Sequence, residues 1–157
     1  MGKRLVVLLL LCWGLVAFAQ SSKPFAGASL VFQWVEGTPL TSLMLQAGSY
    51  DFGGGFGARA NLGIGVSPNF LELGADLLFP FGAGRLLPYG GVGGNWVGLG
   101  ALNFFGIRGL AGVNYSTSSD AGLFAEAVPT LYLASDATGI YGTAFGIQIR
   151  FGINYLF

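Results

Sequence analysis

The segment from Phe145 to Phe157 alternates between apolar residues and small or polar ones, and only Leu156 breaks the pattern. Successive side chains of a β-strand point to opposite faces, so a period of two predicts a long strand with one apolar face. The apolar positions are Phe145, Ile147, Ile149, Phe151, Ile153, Tyr155 and Phe157, and the opposing positions are Gly146, Gln148, Arg150, Gly152 and Asn154.

The same alternation recurs along the chain and divides it into eight predicted strands. Between the apolar runs lie EGTP, GSYD, SPN, FGAG, STSSD and ASDATG, which are rich in residues that favour turns. The register of the fifth strand stays open, because glycine occupies both of its faces. The predicted strands are Pro24–Val35, Thr38–Gly48, Phe52–Val66, Phe70–Phe79, Leu86–Val97, Phe104–Tyr115, Ala121–Tyr132 and Ile140–Phe157.

A cleaved export signal is predicted over residues 1–19. Two basic residues precede an apolar run, which ends in the A-x-A pattern that signal peptidase recognises. Residues 20–157 are then expected to form a single barrel domain. The one cysteine, Cys12, lies inside the signal, so we expect no disulfide, thiol nucleophile or cysteine metal site after cleavage.

The composition favours a membrane environment. Hydrophobic residues make up 53% of the chain and charged residues 9%, whereas soluble domains carry about a quarter charged residues. The uncharged stretch from Leu86 to Ile107 is long enough for a membrane helix. Pro88 and the abundant glycine in this stretch disfavour a helix, so strands remain the preferred interpretation.

The composition of the two strand faces indicates which face of the sheet points into the barrel and which points outward. A soluble barrel points its apolar face inward, and an outer-membrane barrel points it toward lipid. The glycine-rich opposite face suits a narrow lumen, so the sequence predicts an all-β, eight-stranded antiparallel up-and-down transmembrane β-barrel. A secreted soluble β-barrel that binds an apolar ligand is the alternative. Aromatic residues expected at the lipid interfaces are Phe32, Trp34, Phe79, Tyr89, Tyr115, Tyr141, Tyr155 and Phe157.

Six charged residues fall on the face assigned to the lumen, three basic and three acidic. Buried charges need partners, so we expect a network of ion pairs that fills the interior. The alternatives are a selectivity ring or gate, and a carboxylate pair formed by Glu72 and Asp76. The predicted lumen network is Arg59, Glu72, Asp76, Arg108, Glu126 and Arg150.

Catalysis and cofactor binding have no support in the sequence. The chain contains no histidine, which excludes a Ser-His-Asp site and histidine metal sites. No glycine-rich phosphate-binding motif is present. We therefore expect no enzyme activity, no cofactor and no metal, and the net charge of +0 argues against a nucleic-acid partner.

Five segments carry a family resemblance: the AFA signal, LLPYGGVGG opening a strand, GLAGVNY before STSSD, GLFAEA after it, and GINYLF. With these segments the chain resembles the small outer-membrane β-barrels typified by the OmpA transmembrane domain and its OmpW-like relatives. The resemblance implies the outer membrane of a diderm bacterium as the location. It also implies that Phe157 is the assembly signal, supported by Tyr155, Ile153 and Phe151.

The partners implied by this resemblance are outer-membrane lipid, the barrel-assembly machinery and periplasmic chaperones. No wall-binding domain of the OmpA type is expected, and we therefore do not expect this chain to tether the membrane to peptidoglycan. Both ends of the barrel domain should face the periplasm. The expected function is a structural envelope role, with at most limited passage of small or hydrophobic solutes through a mostly plugged lumen.

Overall fold

The structure is a computed structural model that describes residues 24–82, 84–136 and 139–157. The predicted signal segment with Cys12 lies outside the described residues. The side chain of Tyr141, one of the aromatics expected at a lipid interface, is also outside them.

Eight antiparallel strands form one closed barrel in which each strand pairs with its neighbours in sequence. The first and last strands pair with each other and close the sheet. The predicted fold class is therefore confirmed. The strands are β1 Pro24–Val35, β2 Thr38–Ser49, β3 Gly57–Ser67, β4 Leu71–Pro80, β5 Leu86–Leu99, β6 Leu102–Ser116, β7 Ala121–Asp136 and β8 Gly139–Leu156.

The third strand begins later than the alternation predicts. Residues 50–56 form a connection instead of extending β3 to Phe52. The Asp51 carboxylate Oδ1 accepts hydrogen bonds from the N–H groups of Gly53, Gly54 and Gly55 at 2.7–3.1 Å. Gly53 and Gly55 have φ of 88° and 76°, which a residue with a side chain rarely adopts. The alternating glycines of this segment, which looked like one face of a strand in the sequence, thus belong to a loop.

The connections differ between the two ends of the barrel. We call the end that carries Pro24 and Phe157 the terminal end, where residues 50–56, 81–85 and 117–120 connect the strands. At the opposite end, here the turn end, β1 and β2 are joined by residues 36–37 and β5 and β6 by residues 100–101.

Apolar side chains cover the outside of the barrel, as the alternation predicts. Leu43, Ile107 and Phe145 are 55%, 75% and 57% exposed, while the charged residues of the opposite face are buried. No helix in the described part of the chain is long and apolar enough to span a membrane. The stretch considered as a membrane helix instead forms β5 and the beginning of β6.

Tyr89 is the one exception among the aromatic residues predicted to face lipid whose side chains are described. It is 1% exposed and lies inside the barrel. Its hydroxyl donates to Glu126 at 2.5 Å, and its ring contacts that of Tyr50 at 5.0 Å. The prediction was wrong because glycine on both faces of β5 hides its alternation. A hydrogen bond to a buried carboxylate then selects the inward register.

Small residues inside the lumen make room for the long charged ones. A Cβ added at Gly74 would lie 2.5 Å from Nη2 of Arg108, so the guanidinium would have to shift from its place beside Glu72 and Asp76. Gly106 is similarly crowded by Asn95 and Tyr132. The glycine-rich inner face is therefore the complement of the arginines and tyrosines that fill the barrel.

Candidate functional site in the barrel lumen

The six charged residues predicted to face the lumen come together there. Each occupies an inward position of its strand, so closing the sheet directs all of them to one region. All are between 0% and 4% exposed. They are Arg59 on β3, Glu72 and Asp76 on β4, Arg108 on β6, Glu126 on β7 and Arg150 on β8.

Arg59 binds two carboxylates at once. Its Nε donates to Oδ2 of Asp76 at 2.9 Å, and its Nη2 donates to Oε2 of Glu126 at 2.8 Å. Its Nη1 contacts the other oxygen of Glu126 and donates to Gln46 at 3.2 Å. This two-point contact matches the planar guanidinium to the carboxylate. Arg59 and Glu126 therefore form the best-oriented ion pair of the lumen.

Arg108 extends the network toward the turn end. Its Nε donates to Oδ1 of Asp76 at 2.6 Å, and its Nη1 donates to Oε1 of Glu72 at 2.8 Å. Asp76 is thus shared between two arginines. Glu72 also accepts from Asn95, and Asp76 accepts from Asn61, each at 2.8 Å. Neither carboxylate is left as a free acid or base.

Arg150 is placed differently from the other two arginines. Its guanidinium lies 3.5 Å from Glu126, 3.9 Å from Asp76 and 4.0 Å from Glu72. Its Nε and Nη2 hydrogen bond to Oε1 of Gln148 instead, at 2.9 and 2.6 Å. Arg150 therefore balances the charge of three carboxylates without forming the close contacts that Arg59 and Arg108 make.

Neutral polar residues complete the network; the alternation places Asn154 on the inner face, but it does not predict the roles of Gln46 and Tyr50. Gln46 donates to Asn154 at 2.7 Å, and Asn154 donates to the Tyr50 hydroxyl at 2.7 Å. Tyr50 lies in the connection after β2, where burial raises the pKa of its hydroxyl. The signal that could have found Gln46 is its position on the inner face of β2.

A second polar group lies closer to the turn end. Gln148 donates to Oε1 of Gln33 at 3.0 Å and to Glu72 at 3.4 Å. Gln33 in turn donates to the Tyr132 hydroxyl at 2.9 Å. These amides connect the ionic network to the layer of apolar side chains above them.

An apolar layer closes the lumen at the terminal end. Phe25 stacks on Tyr50 with ring centroids 4.7 Å apart, and Tyr50 contacts Tyr89. Half-buried Leu87 and Leu156 pack against this group. We call it the terminal layer; it consists of Phe25, Tyr50, Leu78, Tyr89, Leu110 and Val128.

The apolar layer at the turn end leaves a space. We call it the turn layer; it is built around Phe70, Val97 and Tyr132. A cavity of about 240 Å³, here the cup, lies within it, with Gln33 and Tyr132 as the polar wall and Thr38 and Pro68 at the rim. The apolar wall of the cup is formed by Val35, Leu40, Phe70, Val97, Leu99 and Phe104.

The ionic network occupies the middle of the lumen, and all six of its charged side chains are buried. The charges of the network balance, which is the condition for burying so many ions in one place. Within the described residues, no group of three or more histidine, cysteine, aspartate or glutamate side chains could hold a metal ion.

Comparison with known proteins identifies the fold and nothing finer. No protein-family model and no curated protein matches the sequence. The solved structure of Neisserial surface protein A, NspA, superimposes with a TM-score of 0.59 at 15% identity, over 86% of this chain and 96% of that one. The N-terminal β-barrel domain of Pseudomonas aeruginosa OprF gives 0.58 at 12% identity, over 85% and 97%.

An enzyme is among the structures with the same fold. The outer membrane enzyme PagL superimposes with a TM-score of 0.55 at 11% identity, over 82% of this chain and 97% of that one. The fold therefore hosts both catalytic and other outer-membrane proteins, and function has to be argued from the site. The chain described here has the fold of the small eight-stranded outer-membrane β-barrels.

Proposed function

We propose that the protein is an integral outer-membrane barrel with a structural role in the envelope and a closed lumen. The observation that carries this proposal is the buried, charge-balanced network between two apolar layers. A lumen filled in this way supports the wall of the barrel from within. It offers an ion no continuous polar path from one end to the other.

Insertion in a membrane is supported by the outer surface. Leu30, Val66 and Ile107 belong to a belt of exposed apolar side chains. Soluble monomeric proteins rarely expose a continuous apolar surface of this extent to water. The competing proposal, a soluble barrel with an apolar interior, requires the opposite orientation of the two faces. Folded protein should require detergent or lipid and should migrate faster on SDS gels before boiling than after. A monomer that stays soluble in plain buffer would overturn the proposal.

The closed lumen is tested by conductance in planar bilayers. Purified barrels should give low or absent single-channel currents. Steady large openings of the unaltered protein would contradict a closed lumen and favour passage of solutes. An Arg59→Ala variant is the informative comparison, because it opens space and removes one cation at the centre of the network.

Export and orientation are part of the proposal. Removal of residues 1–19 would release the barrel domain, and the terminal end would face the periplasm. N-terminal sequencing of the protein from outer membranes tests the cleavage, with Gln20 as the expected first residue. Protease accessibility of a tag inserted in residues 117–120 tests the orientation. Cleavage of that tag on intact cells would show that the terminal end faces the outside and would overturn the proposed orientation.

We propose that the barrel-assembly machinery recognises the outward row of the last strand, after delivery by periplasmic chaperones. Phe151, Ile153, Tyr155 and Phe157 are all exposed on the outer face, and the rings of the last two contact each other at 5.2 Å. Phe157→Ala should lower the folded fraction in outer membranes. Phe145→Ala, on the same face at the other end of β8, is the matched control. Equal loss for both variants would argue against a recognition role.

A catalytic role is not favoured by any contact in the lumen. Glu72 and Asp76 are each bound by an arginine, and hydrolytic sites of the Ser-His-Asp type need a histidine, which the sequence does not contain. We infer a non-enzymatic protein. Hydrolysis of an ester substrate by the folded barrel would overturn this inference.

A further inference from the structure

The cup is a formed cavity at the turn end with no role in the closed lumen. Its walls come from β1, β2, β5, β6 and β7 together with Phe70 of the β3–β4 connection. A barrel needs only to be sealed for a structural role, and the terminal layer already seals it. The cup therefore calls for a separate explanation.

The size of the cup limits what it can hold. At about 240 Å³ it is larger than the cavity of about 150 Å³, lined by Leu, Ile and Phe, that binds benzene in an engineered protein. It is smaller than the range of about 300–1,000 Å³ in which drug-sized ligands bind. One ring or short alkyl chain with a small substituent matches this volume.

The polar wall indicates what the substituent should be. The Tyr132 oxygen accepts from Gln33 at 2.9 Å and from Gln148 at 3.4 Å. Its own hydrogen faces the side chains of Thr130 and Asn95, which interact with the hydroxyl from below. Nε2 of Gln33, which also lines the cup, carries a second hydrogen besides the one that it donates to Tyr132, and a ligand hydroxyl oxygen would accept it.

Charge selects against an ionised ligand. No charged side chain is among the described residues that line the cup. The nearest ionic group below the polar wall is the Glu72 carboxylate, which contacts Gln148 at 3.4 Å. An anion would be desolvated without a cation to receive it and would face this carboxylate.

We propose that the cup is a binding site for one small uncharged molecule that joins an apolar body to a hydroxyl group. The site is a dead end, because Gln33, Gln148 and the ionic network lie directly below it. Binding there stabilises the turn end and does not move the ligand through the barrel. The proposal goes beyond the structural role and does not depend on which compartment the turn end faces.

The test uses the folded barrel in lipid nanodiscs and three probes of similar size: benzyl alcohol, toluene and benzoate. Methyl NMR signals of Val35, Leu40, Val97 and Leu99 report on the cup, and those of Val92 and Leu73 report on the lipid face. Benzyl alcohol should shift the cup signals saturably. Toluene, which lacks the hydrogen bond, should bind about tenfold more weakly, and benzoate should produce no saturable shift.

Filling the cup provides the matched control. Val97→Phe should abolish the saturable shift, whereas Val92→Phe on the lipid face of the same strand should leave it unchanged. If Val97→Phe does not fold, Leu99→Phe fills the same cavity from the end of β5. Binding that survives filling would overturn the site, as would equal shifts at the lipid-facing methyls. Equal affinity for benzoate would overturn the predicted ligand class.

A lipid tail is the other occupant that the experiment would reveal. Cross-peaks between the cup methyls and acyl-chain protons, together with no response to benzyl alcohol, would show that the bilayer fills the cavity and would overturn the proposal. Because the readout is binding at the cup and not insertion, its failure would leave the proposed envelope role untouched.

Discussion

At the terminal end of the lumen Tyr50 is held between the rings of Phe25 and Tyr89, whereas at the turn end Phe70 lies over Gly65 beside an open cavity. Tyr50 and Phe70 both come from connections between strands. Tyr50 is anchored at its hydroxyl by Asn154 at 2.7 Å, and Phe70 has no polar atom to anchor. The contrast indicates why only one end is closed. The residue from a connection reaches across the lumen where its side chain can hydrogen bond to the polar network, as Tyr50 does and Phe70 cannot.

The largest loss is expected from Arg59→Ala, which would break the support of the terminal layer. Arg59 binds Glu126, and Glu126 accepts from Tyr89. Removing one partner of a buried ion pair typically costs about 3–5 kcal/mol. The unfolding free energy in urea, measured with liposomes, should fall by this amount.

Arg150→Ala is the control for this prediction. Arg150 lies no closer than 3.5 Å to any carboxylate of the network, and each of those carboxylates keeps another arginine. Its loss should therefore destabilise the barrel less than the loss of Arg59. Equal losses in the two variants would show that net charge matters more than the close contacts.

Cavity formation distinguishes the two layers directly. Leu78 is 0% exposed in the terminal layer, while Leu99 is half-buried beside the cup. Leu78→Ala should cost about 2–5 kcal/mol in the unfolding free energy, because a packed layer cannot collapse around the void. Leu99→Ala should cost about 1 kcal/mol, since it buries less apolar surface. Similar values would mean that the turn layer is as tightly packed as the terminal one.

The alternation predicts the barrel, the outward face and the six lumen charges, because burial against lipid or lumen acts on every second residue. It does not predict the polar chain from Gln46 through Asn154 to Tyr50. Those residues are 108 and 104 positions apart across the hydrogen bonds that join them. Their contact depends on the stagger of the closed sheet, which no local pattern contains.

The cup escapes sequence analysis for a related reason. Val35, Leu40 and Val97 look like ordinary inward residues near strand ends. Whether these side chains contact one another or leave a cavity depends on how far each strand extends at the turn end. Strand β8 is 18 residues long and β1 only 12, so the rim is uneven. That difference follows from pairing across the barrel and not from the composition of any one strand.

Removing the hydroxyl of Tyr89 or of Tyr132 compares how much the hydrogen bonds at the two ends of the lumen contribute to stability. Tyr89 donates to the buried Glu126 carboxylate at 2.5 Å, and a hydrogen bond to a charged group contributes about 1.5–3 kcal/mol. Tyr89→Phe should lower the unfolding free energy by that amount. Tyr132→Phe removes an oxygen that accepts only from neutral amides, so about 0.5–1.5 kcal/mol is expected. The reverse order would place the stronger anchor at the turn end.

The smallest expected effect comes from adding volume to each end. Val128 is 0% exposed in the terminal layer, where an added ring must displace packed neighbours, so Val128→Phe should cost about 1–3 kcal/mol. Val97→Phe places the same ring into a cavity of about 240 Å³ and should leave the unfolding free energy nearly unchanged. Thermal shift of the heat-modifiable gel band is a sufficient measurement. A large loss at Val97 would mean that the cup is shaped by neighbours that cannot move.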